Sequence, residues 1–141
     1  MIGYKRKDDY FKLPAEIMCM ELNPYELAIY SYIVYLTRKN EKQISCHPSL
    51  KKIGNAFGIN KNTVLKYVRS LEDKELIRTY PTKVRTKRGK VQNGNLRYVL
   101  LPVENAFRIY QKEKFIKAQK ELAKIRFQNA IKNGKNIKKI G

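Results

Sequence analysis

The chain has no tryptophan, a single histidine and two cysteines, and only 12 acidic residues stand against 31 lysines and arginines. Three Cys and His residues in all fall short of the four ligands of a tetrahedral zinc site. Cys46 and His47 are adjacent but have no second pair to converge with, so they read as a small buried thiol beside a surface imidazole, and no metal or cofactor is expected. Cys19 and Cys46 lie far apart with no CxxC spacing, the usage of a reducing compartment. The histidine has no evident nucleophile partner and the carboxylates are scattered. Glycine-rich phosphate loops ending in Lys-Ser/Thr, HExxH and GxSxG are all missing. Enzymatic activity is therefore not expected. No apolar run approaches the ~18 residues needed to span a bilayer, and the start, Met1-Ile-Gly-Tyr-Lys-Arg-Lys-Asp-Asp9, has no apolar core of a signal peptide.

What the chain has in excess is positive charge. The 141 residues carry a formal +19, distributed as +1 over residues 1–40, +4 over 41–80 and +14 over 81–141. A basic surface of this size calls for a polyanionic partner, nucleic acid before anionic membrane. The length supports one domain with a real core, and no repeat or low-complexity linker divides it.

The most informative stretch is 49–77. It reads as a short helix, a glycine turn and a second helix. Ser49 caps the first of these, Leu50, Ile53 and Phe57 point inward, and Gly58 permits the tight turn. Asn60 caps the second helix, on which Val64, Val68 and Leu71 share one stripe with Tyr67 at its edge. Asn62, Lys66 and Arg69 form the opposite stripe. An apolar back with an Asn/Lys/Arg front suits a helix that reads the major groove. The plainer alternative is an amphipathic helical hairpin with a solvated face.

Two alternating segments follow, Leu76–Tyr80 and Leu96–Leu101, each patterned as a strand. Between them, residues 81–95 hold Lys83, Arg85, Lys87, Arg88 and Lys90 and no acid, with Gly89 and Gly94 as turn glycines and Asn93-Gly94 as a strong hairpin dipeptide. Helix, turn, helix, strand, basic loop, strand is the order of a winged helix, with the loop as a wing that touches phosphate or the minor groove. Residues 44–48 supply a short strand to complete its sheet. Upstream, Asn23 caps and Pro24 opens a helix to about Arg38. On that helix Leu27, Tyr30, Ile33, Val34 and Leu36 form an apolar arc, and Tyr25, Ala28, Tyr32 and Tyr35 fill much of the remainder. A helix apolar nearly all round is deeply buried or shared with a second subunit. Downstream, strong helix formers run from Val103 to about Asn133, ahead of a tail that reads as frayed. This helix has eight Lys or Arg between Arg108 and Lys132 against Glu113 and Glu121. It reads as a solvated face, a dimer arm or a phosphate-binding arm.

Residues 10–102 resemble the winged helix-turn-helix domains of Gram-positive phage, plasmid and conjugative-element proteins, which occur in replication initiators, DnaD-like primosome proteins and small regulators. The resemblance is carried by Phe11-Lys-Leu-Pro14, residues 23–30, His47-Pro-Ser-Leu50, residues 58–64 and Leu71-Glu-Asp-Lys-Glu-Leu-Ile77. One departure is Glu75, where many such domains have glycine; a residue with a side chain must there turn left-handed or end the helix differently.

The expected fold is mainly α with a small β wing (α+β): a winged helix-turn-helix over residues 1–102 and a long basic C-terminal helix with its tail over 103–141. The expected function is sequence-specific binding of double-stranded DNA. The contacts would come from Asn60, Lys61, Asn62, Thr63, Lys66 and Arg69 on the recognition helix, with Lys83, Arg85, Lys87, Arg88 and Lys90 on the wing, while Leu65 touches a thymine methyl. The resemblance implies a replication initiator-like protein or transcriptional regulator of a mobile element, cytoplasmic in a bacterium and associated with the nucleoid. Homodimerisation through the Tyr25–Leu36 helix or the C-terminal helix stays open. So does a second class of function, a protein-interaction module of a replication or mobilisation complex with non-specific nucleic-acid binding. RNA binding lacks the exposed aromatic pairs that stack on unpaired bases.

Overall fold

A computed structural model describes residues 10–39 and 44–140, with side chains through residue 134. The start Met1–Asp9, residues 40–43 just beyond the first helix, and Gly141 lie outside the described residues. The chain divides into two compact units, residues 1–107 and 108–141.

In the first unit, a 3-10 turn at Ala15–Cys19 buries Ile17 ahead of helix α1, Pro24–Arg38. Asn23 caps α1 by accepting from the Tyr25 amide at 2.8 Å, and Glu26 accepts from the Asn23 amide at 3.0 Å to close a capping box. The buried stripe of α1 is Glu26, Ile29, Tyr30, Ile33, Val34 and Thr37. Leu27 and Leu36, expected in the apolar arc, are only half-buried, and Ile29 takes the central place. The reason is register: the 3.6-residue period that joins Tyr30, Ile33 and Val34 passes through 26, 29 and 37. A carboxylate on that line disguises it. The tyrosines on the other sides of α1 have partners within the chain. Tyr25 stacks on Tyr67 with centroids 5.5 Å apart, Tyr32 meets Phe57 edge-on at 5.7 Å, and Tyr35 lies 5.7 Å from Phe11. Much of the apolar surface of α1 thus meets neighbours within one copy, while Tyr25 and Tyr35 stay exposed.

Helix α2 spans Leu50–Phe57 and helix α3 spans Lys61–Asp73. Ser49 caps α2 through the Lys52 amide at 2.9 Å, and Gly58, at φ 68°, reverses the chain in the left-handed region. The two helices close tightly because Gly54 has no side chain. A Cβ there would lie 2.4 Å from the Ile59 carbonyl oxygen, a backbone atom that cannot rotate away. Gly54→Ala gains about 1 kcal/mol of helix propensity, but the clash outweighs it. We expect a net loss of about 1–3 kcal/mol by chemical denaturation; an unchanged or raised midpoint would show that the turn yields freely.

Strands β1 (Ser45–Cys46), β5 (Arg97–Leu100) and β2 (Ile77–Tyr80) form an antiparallel sheet in the order β1-β5-β2, with Cys46 and Thr79 both opposite Tyr98. Val64, Val68, Leu71, Leu76, Ile77 and Tyr98 are fully buried between this sheet and the helices. Each such aliphatic side chain contributes about 1.5–3 kcal/mol on leaving water. Glu75 takes the left-handed conformation at φ 60°. The Glu75 amide donates to the Glu72 carbonyl at 2.9 Å and the Leu76 amide to the Leu71 carbonyl at 3.1 Å. This is the paired helix-ending turn usually closed by glycine, and a side chain in it costs about 1–2 kcal/mol.

The basic segment between β2 and β5 is itself a hairpin. Strand β3 (Lys83–Arg85) pairs with β4 (Val91–Asn93) in a separate two-stranded ladder. The reversal falls at Thr86–Lys90, with Gly89 at φ 81°, and not at Asn93-Gly94 as the dipeptide suggested. Gly94 lies at the base of the ladder, where its amide donates to the Thr82 carbonyl at 2.8 Å. A Cβ on Gly94 would sit 2.5 Å from the Thr82 hydroxyl.

Helix α4 runs Val103–Ile140. Val103 and Ala106 are buried in the first unit. The tail expected to fray from Asn133 is helical to Ile140. A single Gly134 costs about 1 kcal/mol, too little to end a helix propagated over thirty residues.

Candidate nucleic-acid interface

Helix α3 starts where Asn60 accepts from the Thr63 amide at 2.9 Å. The Thr63 hydroxyl donates to the same oxygen at 3.1 Å, so the acceptor end of Asn60 is committed to the cap. Lys61 and Asn62 are exposed in the first turn, and Thr63 and Leu65 are half-buried. With Val64, Val68 and Leu71 sealed in the core, the helical period turns Asn62, Lys66 and Arg69 outward on one face. The Lys66 ammonium lies 5.6 Å from the centre of the Tyr67 ring, which Tyr25 stacks from α1.

Arg69 is anchored differently. Its Nη1 donates to Glu72 Oε2 at 2.8 Å and to the Thr79 hydroxyl at 3.3 Å. Glu72 Oε1 accepts from the Thr79 amide at 2.8 Å and from the Thr79 hydroxyl. Burial alone would raise the Glu72 carboxyl, but the Thr79 and Arg69 hydrogen bonds and the guanidinium charge outweigh it. Glu72 is thereby held below the ordinary carboxylate range and is ionised at neutral pH.

A buried network holds α3 against α1. Lys74, at the end of α3, places its ammonium 2.8 and 2.7 Å from the two Glu26 oxygens. Ser70 donates to Glu26 Oε2 at 2.7 Å. Glu26 is 4% exposed. Burial pushes its pKa up, and the donations from Lys74, Ser70 and the Asn23 amide more than reverse this, leaving it lowered.

On the hairpin, Lys83 and Arg85 lie on β3, and Lys87, Arg88 and Lys90 surround the reversal; all five are exposed. Lys83 reaches the Asn93 side-chain oxygen. Where the sheet meets the hairpin, the Arg97 guanidinium lies 4.8 Å over the Tyr80 ring. Sequence reasoning missed Glu72, Thr79 and Glu26. The Arg69–Glu72 spacing of three residues is a helical pair signal, and Asn23-x-x-Glu26 is a capping-box spacing. Thr79 had no local signal, because only the fold brings β2 to α3.

Residues 20–77 match the family described as "Helix-turn-helix domain". Within it, α2, the Gly58 turn and α3 are arranged as a helix-turn-helix. With the antiparallel sheet and hairpin that follow, the helix-turn-helix becomes a winged one. No curated protein matches the chain. Among solved structures, a possible transcriptional regulator from Methanosarcina mazei Go1 is similar at 13% identity, over 77% of this chain and 84% of that one, with a TM-score of 0.47. Among the described residues no helix is long and apolar enough to cross a membrane.

Proposed function

We propose that the protein binds duplex DNA sequence-specifically and acts as a regulator or replication initiator of a mobile genetic element. In this reading α3 lies in the major groove and the β3–β4 hairpin lies on the adjoining backbone. The observation that carries it is the division of α3 into a sealed Val64–Val68–Leu71 back and an exposed Asn62–Lys66–Arg69 front. Asn62 suits adenine, Lys66 and Arg69 suit guanine. Asn60, with its oxygen engaged in the cap, keeps only amide donors for phosphate, and Lys61 and Thr63 join it at the helix N-terminus. The five hairpin cations, and those of α4 in the second unit, supply attraction that is salt-dependent and indifferent to sequence.

The test begins with recovery of crosslinked genomic DNA, which yields the site and places it at promoters or at an origin. Lys66→Ala and Asn62→Ala are then compared on cognate and scrambled duplexes by fluorescence anisotropy. Each is expected to weaken cognate binding by about 1–3 kcal/mol and scrambled binding much less. Equal losses on both duplexes would assign these residues to phosphate and remove sequence reading from α3.

A further inference from the structure

We infer that Glu72, a residue with no direct role in the reading above, is a positioning residue that presets Arg69 for a single guanine. The inference rests on the proposal that α3 reads DNA. Arginine has five N–H donors in a planar fork. The two Nη1 contacts, to Glu72 and to the Thr79 hydroxyl, take up one prong. They leave the Nε–H and Nη2–H pair, and among the described residues nothing else takes it up. Those two hydrogens point the same way along one edge of the guanidinium, the spacing that a guanine presents with O6 and N7.

The anchor is rigid where it matters. Glu72 is held at both oxygens: one accepts from the Thr79 amide and hydroxyl, the other from Arg69. The Thr79 amide belongs to β2, a paired strand, so the direction of Arg69 is referred to the sheet and not only to its own helix. The side chain of Glu72 is 22% exposed and that of Arg69 is 55% exposed, so the acid sits behind the base. A long flexible side chain held in one rotamer before binding loses less entropy on binding. The carboxylate also disfavours a phosphate as the guanidinium's partner, which leaves the base edge as its target.

The experiment selects bound duplexes from a randomised library with the full-length protein and with Arg69→Ala, Glu72→Gln, Thr79→Val, Thr79→Ser and the Arg69→Ala/Glu72→Gln double variant. Thermal melts of each are run in parallel. Arg69→Ala is expected to erase preference at one guanine, by about tenfold or more. Glu72→Gln is expected to relax that same position and no other, Thr79→Val to relax it partly, and Thr79→Ser to restore it. The double variant should match Arg69→Ala alone, because Glu72 acts through Arg69. Glu72→Gln tightening binding to all sequences alike would overturn the inference, since the acid would then be merely a repulsive charge. Unchanged selection by Glu72→Gln beside altered selection by Arg69→Ala would overturn it too, as would a lowered melt with selection intact. If the unaltered protein selects no consensus, the DNA-reading proposal itself fails, and that outcome is distinct from the others.

Discussion

Glu26→Ala is expected to destabilise the first unit by about 3 kcal/mol, the lower end for breaking a buried ion pair. The lower end applies because the Lys74 side chain, 36% exposed, can reach water once its partner is gone. The substitution also strips the Ser70 hydroxyl and the Asn23 amide of their acceptor, and opens the capping box of α1. For a unit of this size the melting temperature should fall by on the order of 12 °C or more. Glu26→Gln, which keeps an acceptor for the cap, should lose less. A loss below about 1 kcal/mol for the alanine variant would rank the network with ordinary surface pairs. The same carboxyl sets an acid limb. Its folded pKa is lowered, so its stabilisation is complete above the ordinary glutamate range. That stabilisation is lost as pH falls through the folded value. Lys74→Met removes the hydrogen bonds that do most to lower it, and the charge with them, and the acid limb of melting temperature against pH should then move to higher pH.

Replacing Lys87, Arg88 and Lys90 together by glutamine is expected to change binding most of all. Each phosphate contact contributes about 0.9 to the slope of log affinity against log salt, so three lost contacts lower that slope by ~2.7. Carried from a 1 M reference to 0.2 M, this amounts to about a hundredfold weaker binding, equal on cognate and scrambled duplex. Stability should hardly move, since all three side chains are exposed and the reversal is fixed by Gly89 and the Thr86–Lys90 hydrogen bond. Titrations at several salt concentrations decide the matter, and an unchanged slope would take the hairpin out of the interface.

The helices were legible in the chain because their punctuation is local. Asn23, Ser49 and Asn60 each cap where a short polar residue precedes a periodic run, and Gly58 turns the chain where the run stops. Val64, Val68 and Leu71 declared the buried face of α3 by spacing alone. At Glu75, where the resemblance expects glycine, the chain left two endings open, left-handed or otherwise, and it takes the left-handed one. What stayed hidden depends on residues far apart in sequence. Glu26 reads as surface until Lys74, 48 positions away, is brought beside it. The orientation of Arg69 was equally hidden, since Thr79 reaches it only after β2 folds back along α3. Of the two turn glycines in the basic segment, the chain reverses at Gly89 and not at the Asn93-Gly94 dipeptide. Asn-Gly favours a tight turn in isolation, yet here the strand pairing around Val84 and Gln92 extends to Thr86 and moves the reversal outward.

The separateness of the β3–β4 ladder sets how this protein tolerates change. None of the six residues in its strands is buried, and among the described residues the ladder pairs only within itself. In the proposed reading, a substitution there would alter affinity without passing through the stability of the core. Substitutions on α3 have no such freedom, because one turn of that helix carries Val68 and Leu71 on its inner side and Arg69 on its outer side. In the proposed reading, strength of binding and choice of site thus fall on parts of the chain with different mutational latitude. A lineage can adjust the first readily, whereas any drift in the second must keep the helix packed.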